Sequence, residues 1–166
     1  MRPPVEPDVP GAGQESVWDY PRPPRLERTS ARLEVVLGGR VIASTTAGYR
    51  VLETSHPPTY YLPPEAFVPG AVRPVVGTTV CEWKGRAVYA DLVADGTVAP
   101  RAAWWYPEPT ASFRAIAGYL AVMPGLVDAC LVDGERVTPQ SGGFYGGWIT
   151  SAVVGPFKGG PGTHGW

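Results

Sequence analysis

The sequence predicts a mainly β protein, either a small barrel or a curved antiparallel sandwich of short strands, with one amphipathic helix. Three observations lead to this prediction. Short runs of alternating apolar residues are separated by turn-forming dipeptides. Glycine and proline contribute 21 and 20 of the 166 residues, and six Trp and eight Tyr supply bulky core material. Because disordered chains are poor in aromatic residues, we interpret the glycine and proline as tight turns within a folded domain.

The first strand pattern begins at Leu33. Apolar residues alternate through Leu37, and Gly38-Gly39 then separates them from a second apolar run. Two glycines between such runs predict a two-residue hairpin, since both can adopt positive φ. Further strands are expected at residues 49–53, 59–62, 78–93 and 102–106, with hairpin turns at 95–96 and 133–134.

After residue 110, the spacing of the apolar residues changes from every second residue, typical of a strand, to the spacing of a helix. Five apolar residues recur at spacings of three and four: Phe113, Ile116, Ala117, Leu120 and Ala121. This stripe predicts an amphipathic helix. Thr110 is its expected N-cap, and Pro124-Gly125 its expected stop.

The domain organisation follows from the proline and glycine distribution. Residues 1–14 are proline-rich and lack periodicity, which predicts a disordered tail. Residues 15–166 then form a single β-rich domain, which ends in a glycine-rich segment over residues 140–166.

Charge and composition argue against several partners. The formal net charge is −1 and the chain has no basic block, so we expect no nucleic-acid partner. No apolar run reaches about 18 residues, so we expect no membrane span. Without an export signal, Cys81 and Cys130 are expected to be free, mostly buried thiols of a cytoplasmic protein. No Cys or His cluster has zinc spacing, and we expect neither a metal nor a cofactor.

The segment Thr79–Tyr89 concentrates the reactive side chains. If Lys84-Gly85 is a two-residue turn, Cys81 lies opposite Val88 on an apolar face. Cys81 is then a core residue, although a cation such as Lys84 could activate it as a nucleophile.

Lys84 has two alternative positions in this hairpin. In the plain hairpin it is an exposed residue at the turn tip. A bulge at Gly85 would shift one arm, so that Lys84 could point over the sheet toward Tyr89. The apolar neighbours Trp83 and Tyr89 favour a perturbed amine that binds an anion or forms a Schiff base.

Several other residues are weaker candidates. Tyr61 and Trp104 are in aromatic runs that suit either a small-molecule pocket or an ordinary core. His56 is a possible general base. Its spacing from Glu53 would suit a metal only on a helix, which Pro57-Pro58 disfavours.

Four strings resemble the bacterial domain-of-unknown-function 427 family. They span residues 60–63, 79–85 with Tyr89, 103–107 and 116–124, and the resemblance covers about residues 32–133. The glycine-rich ending looks like that of the actinobacterial members. The resemblance implies a small, mostly β cytoplasmic protein, which is sometimes labelled nucleotidyltransferase-like. By motif position it also implies the candidate site residues Tyr61, Cys81, Lys84, Gly85, Tyr89 and Trp104.

Three functional hypotheses follow. The leading one is binding of a small anionic metabolite in an aromatic-lined pocket, with Lys84 as the charge partner and Tyr61, Trp83, Tyr89 and Trp104 as walls. The second is an enzyme that uses Cys81 or Lys84 covalently, or that transfers a nucleotidyl group. The third is an interaction module whose aromatic surface forms a homo-oligomer interface.

Overall fold

A computed structural model describes residues 5–166 and confirms a mainly β fold. Its fifteen strands are β1 Glu15–Ser16, β2 Arg25–Thr29, β3 Leu33–Leu37, β4 Arg40–Thr45, β5 Gly48–Leu52, β6 Thr59–Tyr61, β7 Val72–Cys81, β8 Gly85–Ala94, β9 Thr97–Trp105, β10 Ala121–Val122, β11 Ala129–Val132, β12 Glu135–Arg136, β13 Thr138–Pro139, β14 Trp148–Ile149 and β15 Val153–Val154. Short 3-10 helices span Val17–Asp19, Pro64–Ala66, Ala111–Ile116 and Pro124–Leu126.

The strands form small sheets that are mostly antiparallel. Two sheets have four strands, in the orders β10-β9-β8-β7 and β12-β11-β3-β4. A third sheet has the order β2-β5-β6, and the pairs β13-β14 and β1-β15 complete the set, the last of them parallel. Within residues 5–166 these sheets do not close into a barrel.

Two apolar clusters hold the larger sheets together. The first joins inward residues of both four-stranded sheets, such as Val35 and Leu92, and includes the fully buried Trp148. The second joins Val51 and Tyr61 to Phe113 and Ile116. Several residues of the predicted site are partly buried and pack against the second cluster: Cys81, Trp83, Tyr89 and Trp104. The second cluster therefore connects the core to that site.

The hairpins with glycine dipeptides are confirmed. Leu37 pairs with Arg40 across Gly38-Gly39, and Ala94 pairs with Thr97 across Asp95-Gly96. β11 and β12 are likewise joined by the turn at residues 133–134. In each case the residues at the turn adopt the positive φ that such two-residue turns require.

The predicted amphipathic helix is a shorter and different structure. The 3-10 segment Ala111–Ile116 is interrupted by a non-helical φ/ψ at Phe113. Gly118 then turns the chain at φ 75°, and Ala121 begins β10. Four residues of the apolar stripe are buried and Ala117 is exposed, so the helical spacing here reflects burial without a continuous helix. Thr110 is the N-cap residue, yet its side chain makes no capping hydrogen bond.

The register of the β7–β8 hairpin differs from the two-residue prediction. Cys81 pairs with Gly85, and Thr78 with Val88. The turn therefore contains residues 82–84, and Gly85 follows it at φ 102°. The pairing is also irregular between Val75 and Thr78, a bulge that sequence alternation alone does not reveal.

The predicted tail, residues 1–14, is described only in part, because residues 1–4 lie outside the described range. Within it, the Asp8 amide donates to the Gly155 carbonyl at 2.8 Å, and the Gln14 side chain donates to the Ser151 carbonyl at 2.9 Å. Over residues 5–166, no helix is long and apolar enough to cross a membrane.

Candidate functional site

A cavity of about 660 Å³ opens beside the β7–β8 turn. The candidate residues of the leading hypothesis all line this one cavity: Tyr61, Trp83, Lys84, Tyr89 and Trp104. Cys81, the thiol of the enzyme hypothesis, lines it too. Residues that the sequence did not associate with them complete the wall, and the most polar of these are Glu53, His56, Arg101, Gln140 and Lys158.

The floor of the cavity is aromatic. Tyr61 is fully buried at the end of β6, and its ring lies 6.5 Å from that of Tyr106. Burial, above all, raises the pKa of Tyr61, and the neighbouring Tyr106 and Cys81 act in the same direction. Both hydroxyl groups therefore stay protonated at neutral pH, and the floor carries no negative charge that would repel an anion.

Lys84 lies at the edge of this floor, on the cavity side of the turn. Its Nζ atom lies 5.9 Å from the ring centroid of Tyr106 and 5.8 Å from that of Phe113. Among residues 5–166, no carboxylate lies within 4 Å of it. The side chain is half-buried, so the prediction of an exposed turn residue is wrong and the alternative of a lysine over the sheet is closer.

Thr110 fixes the main chain that carries Lys84. The Thr110 hydroxyl donates to the Trp83 carbonyl oxygen at 2.5 Å, and the Thr110 amide donates to the Lys84 carbonyl oxygen at 3.2 Å. Gly85 is also close to this segment, since a Cβ there would lie 3.4 Å from the Glu108 carbonyl oxygen. The turn is thus attached to a second chain segment, which orients Lys84.

Cys81 is not the core residue that the two-residue turn predicted. The three-residue turn places it opposite Gly85, where it is half-buried and lines the cavity. Cys130 is the buried thiol, and burial raises its pKa to about 12. Both cysteines are free.

Two further cations line the cavity. The Arg101 guanidinium carbon lies 4.4 Å from the ring centroid of Tyr89, and one of its nitrogens donates to the Val76 carbonyl oxygen. Lys158 Nζ lies 5.7 Å from the ring centroid of Tyr145 and donates to the main-chain oxygen of Trp166, the last residue of the sequence. Each cation contacts an aromatic ring, and within residues 5–166 neither forms a salt bridge with an Asp or Glu side chain.

The Gln140 side chain fixes the state of His56. Its Oε1 accepts from the Gly147 amide, so its Nε2 faces Lys158 O at 2.7 Å and His56 Nδ1 at 3.2 Å. Because Gln140 Nε2 can only donate, His56 Nδ1 must accept, and the proton of neutral His56 lies on Nε2.

The second nitrogen of His56 faces a carboxylate. Nε2 lies 3.6 Å from Glu53, beyond hydrogen-bond distance, and that carboxylate also pairs with Arg22 at 3.3 Å. Burial lowers the pKa of His56 to about 4, Glu53 opposes this, and the charges of Lys158, Arg22 and Lys84 add to it. His56 is therefore neutral at pH 7, but its basic nitrogen Nδ1 is already engaged by Gln140, which disfavours the general-base role considered from the sequence.

The glycine-rich segment supplies one wall of the cavity. A Cβ on Gly146 would overlap the Trp104 ring, and one on Gly147 would lie 2.5 Å from Gln140 Oε1 and from the ring of Pro57. The glycines therefore allow this segment to lie directly against the cavity lining. The sequence shows a glycine-rich segment here but not what it approaches, because Trp104 and Pro57 lie far from these glycines along the chain.

No group of three or more His, Cys, Asp and Glu side chains within the described chain is arranged to hold a metal ion. Glu53 and His56 lie 3.6 Å apart, and Glu53 also pairs with Arg22. The cavity offers a ligand cations, hydrogen-bonding groups and aromatic surface, and it also carries the Cys81 thiol.

A family model described as a domain of unknown function (DUF427) matches residues 25–133. This range includes the β7–β8 hairpin with Lys84 and the floor of the cavity. Gln140, Tyr145 and Lys158 lie beyond it. No curated protein shows significant similarity to the chain.

Proposed function

Given that the chain belongs to the DUF427 family of domains of unknown function, we propose that its cavity binds a small anionic metabolite with Lys84 as the charge partner. The observation that carries this proposal is the environment of Lys84. Its ammonium group lies over two aromatic rings, lines a cavity of about 660 Å³ and has no carboxylate partner among residues 5–166.

Both the size and the lining of the cavity support a small molecule. Ligand sites are commonly 300–1,000 Å³ and mostly apolar, with a few placed polar groups. Here Trp83, Tyr89 and Trp104 supply flat apolar surface, while Lys84 supplies a donor and a charge. A bound anion would remove the cost of holding a half-buried ammonium without a counter-ion.

A thermal-shift titration with sodium benzene-1,3-dicarboxylate (isophthalate) tests the proposal. The wild type is expected to gain stability as the concentration rises, by mass action on the native state. Lys84→Met, which keeps the apolar stem and removes the charge, should lose this gain. Equal stabilisation of both proteins would contradict the role of Lys84.

Arg86→Met is the matched control. Arg86 lies in the same hairpin, is exposed and is not part of the cavity lining. Arg86→Met removes one positive charge, as Lys84→Met does. A purely long-range effect of charge would therefore weaken binding in both variants, whereas a local site at Lys84 would lose binding only in Lys84→Met.

A homo-oligomeric interaction module is the second candidate, favoured by exposed apolar residues near the cavity mouth. Val76 and Val80 of β7 are 97% and 82% exposed, and Phe144 is 81% exposed. Light scattering over a concentration series tests it. A constant monomer mass up to millimolar concentration would exclude a stable oligomer through this surface.

A cytoplasmic location is part of the same proposal. Its support is that Cys81 and Cys130 are unpaired thiols, which suits a reducing compartment. Fractionation of cells that produce the full chain would test it.

A further inference from the structure

Three cations converge on the cavity. Lys84, Arg101 and Lys158 all line it, and within residues 5–166 none of them forms a salt bridge with an Asp or Glu side chain. Outside the cavity, some arginines of the described chain are paired with carboxylates and others are not. What distinguishes the cavity cations is that all three lie on one concave surface.

Each of the three cations keeps donors for a ligand. Arg101 uses one nitrogen on Val76 O, and Lys158 uses one proton on Trp166 O. A guanidinium has five N–H donors and an ammonium has three, so most remain available.

The carboxylates of the cavity do not balance these charges. Two carboxylates line it, those of Glu53 and Glu82. Glu53 pairs with Arg22, outside the lining, and approaches His56. Glu82 is exposed at the turn. Concave surfaces with an excess of one charge attract ligands of the opposite charge, and more strongly than a flat surface does.

We propose that the ligand is a planar polyanion, a molecule with two or more carboxylate or phosphate groups on a flat unsaturated body. Three cations on one cavity, none with an Asp or Glu partner, favour a ligand with more than one negative charge. Each of these cations lies over a tyrosine ring, that of Tyr106, Tyr89 or Tyr145 in turn, so flat aromatic surface lies beside each charge. This inference rests on the proposed function and specifies its ligand class.

The state of His56 agrees with this. Its imidazole is neutral, and its one proton faces Glu53, so it adds no fourth charge. The surrounding cations are near enough to affect its protonation, since Lys158, Arg22 and Lys84 all act to lower its pKa. The charges of the cavity wall therefore act on His56 directly.

A series of probes that differ only in charge tests the inference. Benzoate, benzene-1,3-dicarboxylate and benzene-1,3,5-tricarboxylate place one, two and three carboxylates on the same ring, and calorimetric titration gives their Kd values. We expect affinity to rise about tenfold for the second carboxylate and again for the third, as charge-assisted hydrogen bonds do. Cyclohexane-1,3,5-tricarboxylate, with the same charge and no flat ring, should bind at least tenfold more weakly than its aromatic counterpart.

Two variants identify the cations. Arg101→Met and Lys158→Met should each reduce the gain from one added carboxylate, and should weaken tricarboxylate binding more than benzoate binding, while Arg86→Met should alter none of the values. Circular dichroism and melting temperature verify that each variant is folded.

The outcomes separate the two proposals. If benzoate binds as tightly as the tricarboxylate and binding depends on Lys84, the polyanion inference fails and anion binding stands. If the cyclohexane compound binds as tightly as the aromatic one, the flat body is wrong. If no carboxylate probe and no inorganic phosphate binds, both proposals fail.

Discussion

The Thr110 hydroxyl donates a hydrogen bond to the Trp83 carbonyl oxygen at 2.5 Å. With the bond from the Thr110 amide to the Lys84 carbonyl oxygen, it attaches the β7–β8 turn to the segment that leads into the Ala111–Ile116 helix. The residue that the sequence marks as a helix cap thus holds the proposed charge partner in place.

Thr110→Val should weaken anion binding through the position of Lys84. Valine has the shape of threonine but lacks the hydroxyl, so the turn loses one of two attachments. We expect the free energy of unfolding to fall by about 1 kcal/mol, the typical worth of one hydrogen bond. We also expect the Kd for isophthalate to rise severalfold, as measured by calorimetry. Thr110→Ser keeps the hydroxyl and should restore both values. Wild-type affinity in the valine variant would show that the turn needs no such attachment.

Gly146→Ala should disturb the cavity wall. The added Cβ would overlap the Trp104 ring, and overpacking of this kind costs about 1–3 kcal/mol. The ring must move toward the cavity, so isophthalate affinity should fall and Trp104 fluorescence should change. Gly160→Ala is the matched control, since a Cβ there meets nothing within 4 Å. Similar losses in both variants would argue against a specific contact between Gly146 and Trp104.

The stability of the protein should depend on pH through His56. Its pKa is about 4 in the folded state, against an ordinary value of 6.5, so the unfolded chain binds more protons between these values. The free energy of unfolding should therefore be fully present above about pH 6.5. It should decline as the pH falls toward 4, by at most about 1.4 kcal/mol per pH unit for this residue. Urea unfolding at a series of pH values measures the slope.

Gln140→Glu should reverse this dependence. A carboxylate at this position accepts a hydrogen bond from protonated His56 Nδ1 and stabilises the imidazolium, so the pKa of His56 should rise. An NMR titration of the imidazole resonances measures the pKa directly. His56→Asn cannot titrate at this position. Urea unfolding of this variant at the same pH values identifies how much of the pH dependence of the free energy of unfolding is due to His56. An unchanged His56 pKa in the glutamate variant would contradict the assigned hydrogen bond.

Thiol labelling should distinguish the two cysteines. Cys81 is half-buried on the cavity, whereas Cys130 is 1% exposed. An aromatic disulfide reagent should therefore label one thiol of the native protein, and Cys130→Ala should leave that rate unchanged. Saturating isophthalate should slow the reaction of Cys81 because it occupies the same cavity. Fast labelling of Cys130 in the native protein, or no protection of Cys81, would contradict this geometry. A Cys81 that reacts no faster than in the unfolded chain would argue against the nucleophile hypothesis.

The fold could be predicted where local chemistry decides it. Gly38-Gly39 and Asp95-Gly96 can form two-residue turns whatever surrounds them, and both do so. Gly85 is different. It adopts φ 102° after a three-residue turn, while a bulge between Val75 and Thr78 shifts the opposite arm. Such shifts depend on packing against the rest of the chain, and alternation within the hairpin does not encode them.

The site could be predicted only in part for the same reason. Cys81, Lys84 and Tyr89 lie in one hairpin, so their proximity is local. Gln140 and Lys158 reach the cavity from a segment far along the chain, which close approaches of Gly146 and Gly147 and backbone hydrogen bonds hold in place. Those glycines were visible in the sequence, but their partners were not.

The indole resonances of Trp83 and Trp104 give the most direct test of anion binding at Lys84. Both rings line the cavity, whereas Trp18 is not part of its lining and serves as an internal control. In a titration of 15N-labelled protein with isophthalate, we predict saturable shifts of Trp83 and Trp104 in the wild type, and none in Lys84→Met. Shifts that persist in Lys84→Met, or that occur at Trp18 instead, would contradict the account.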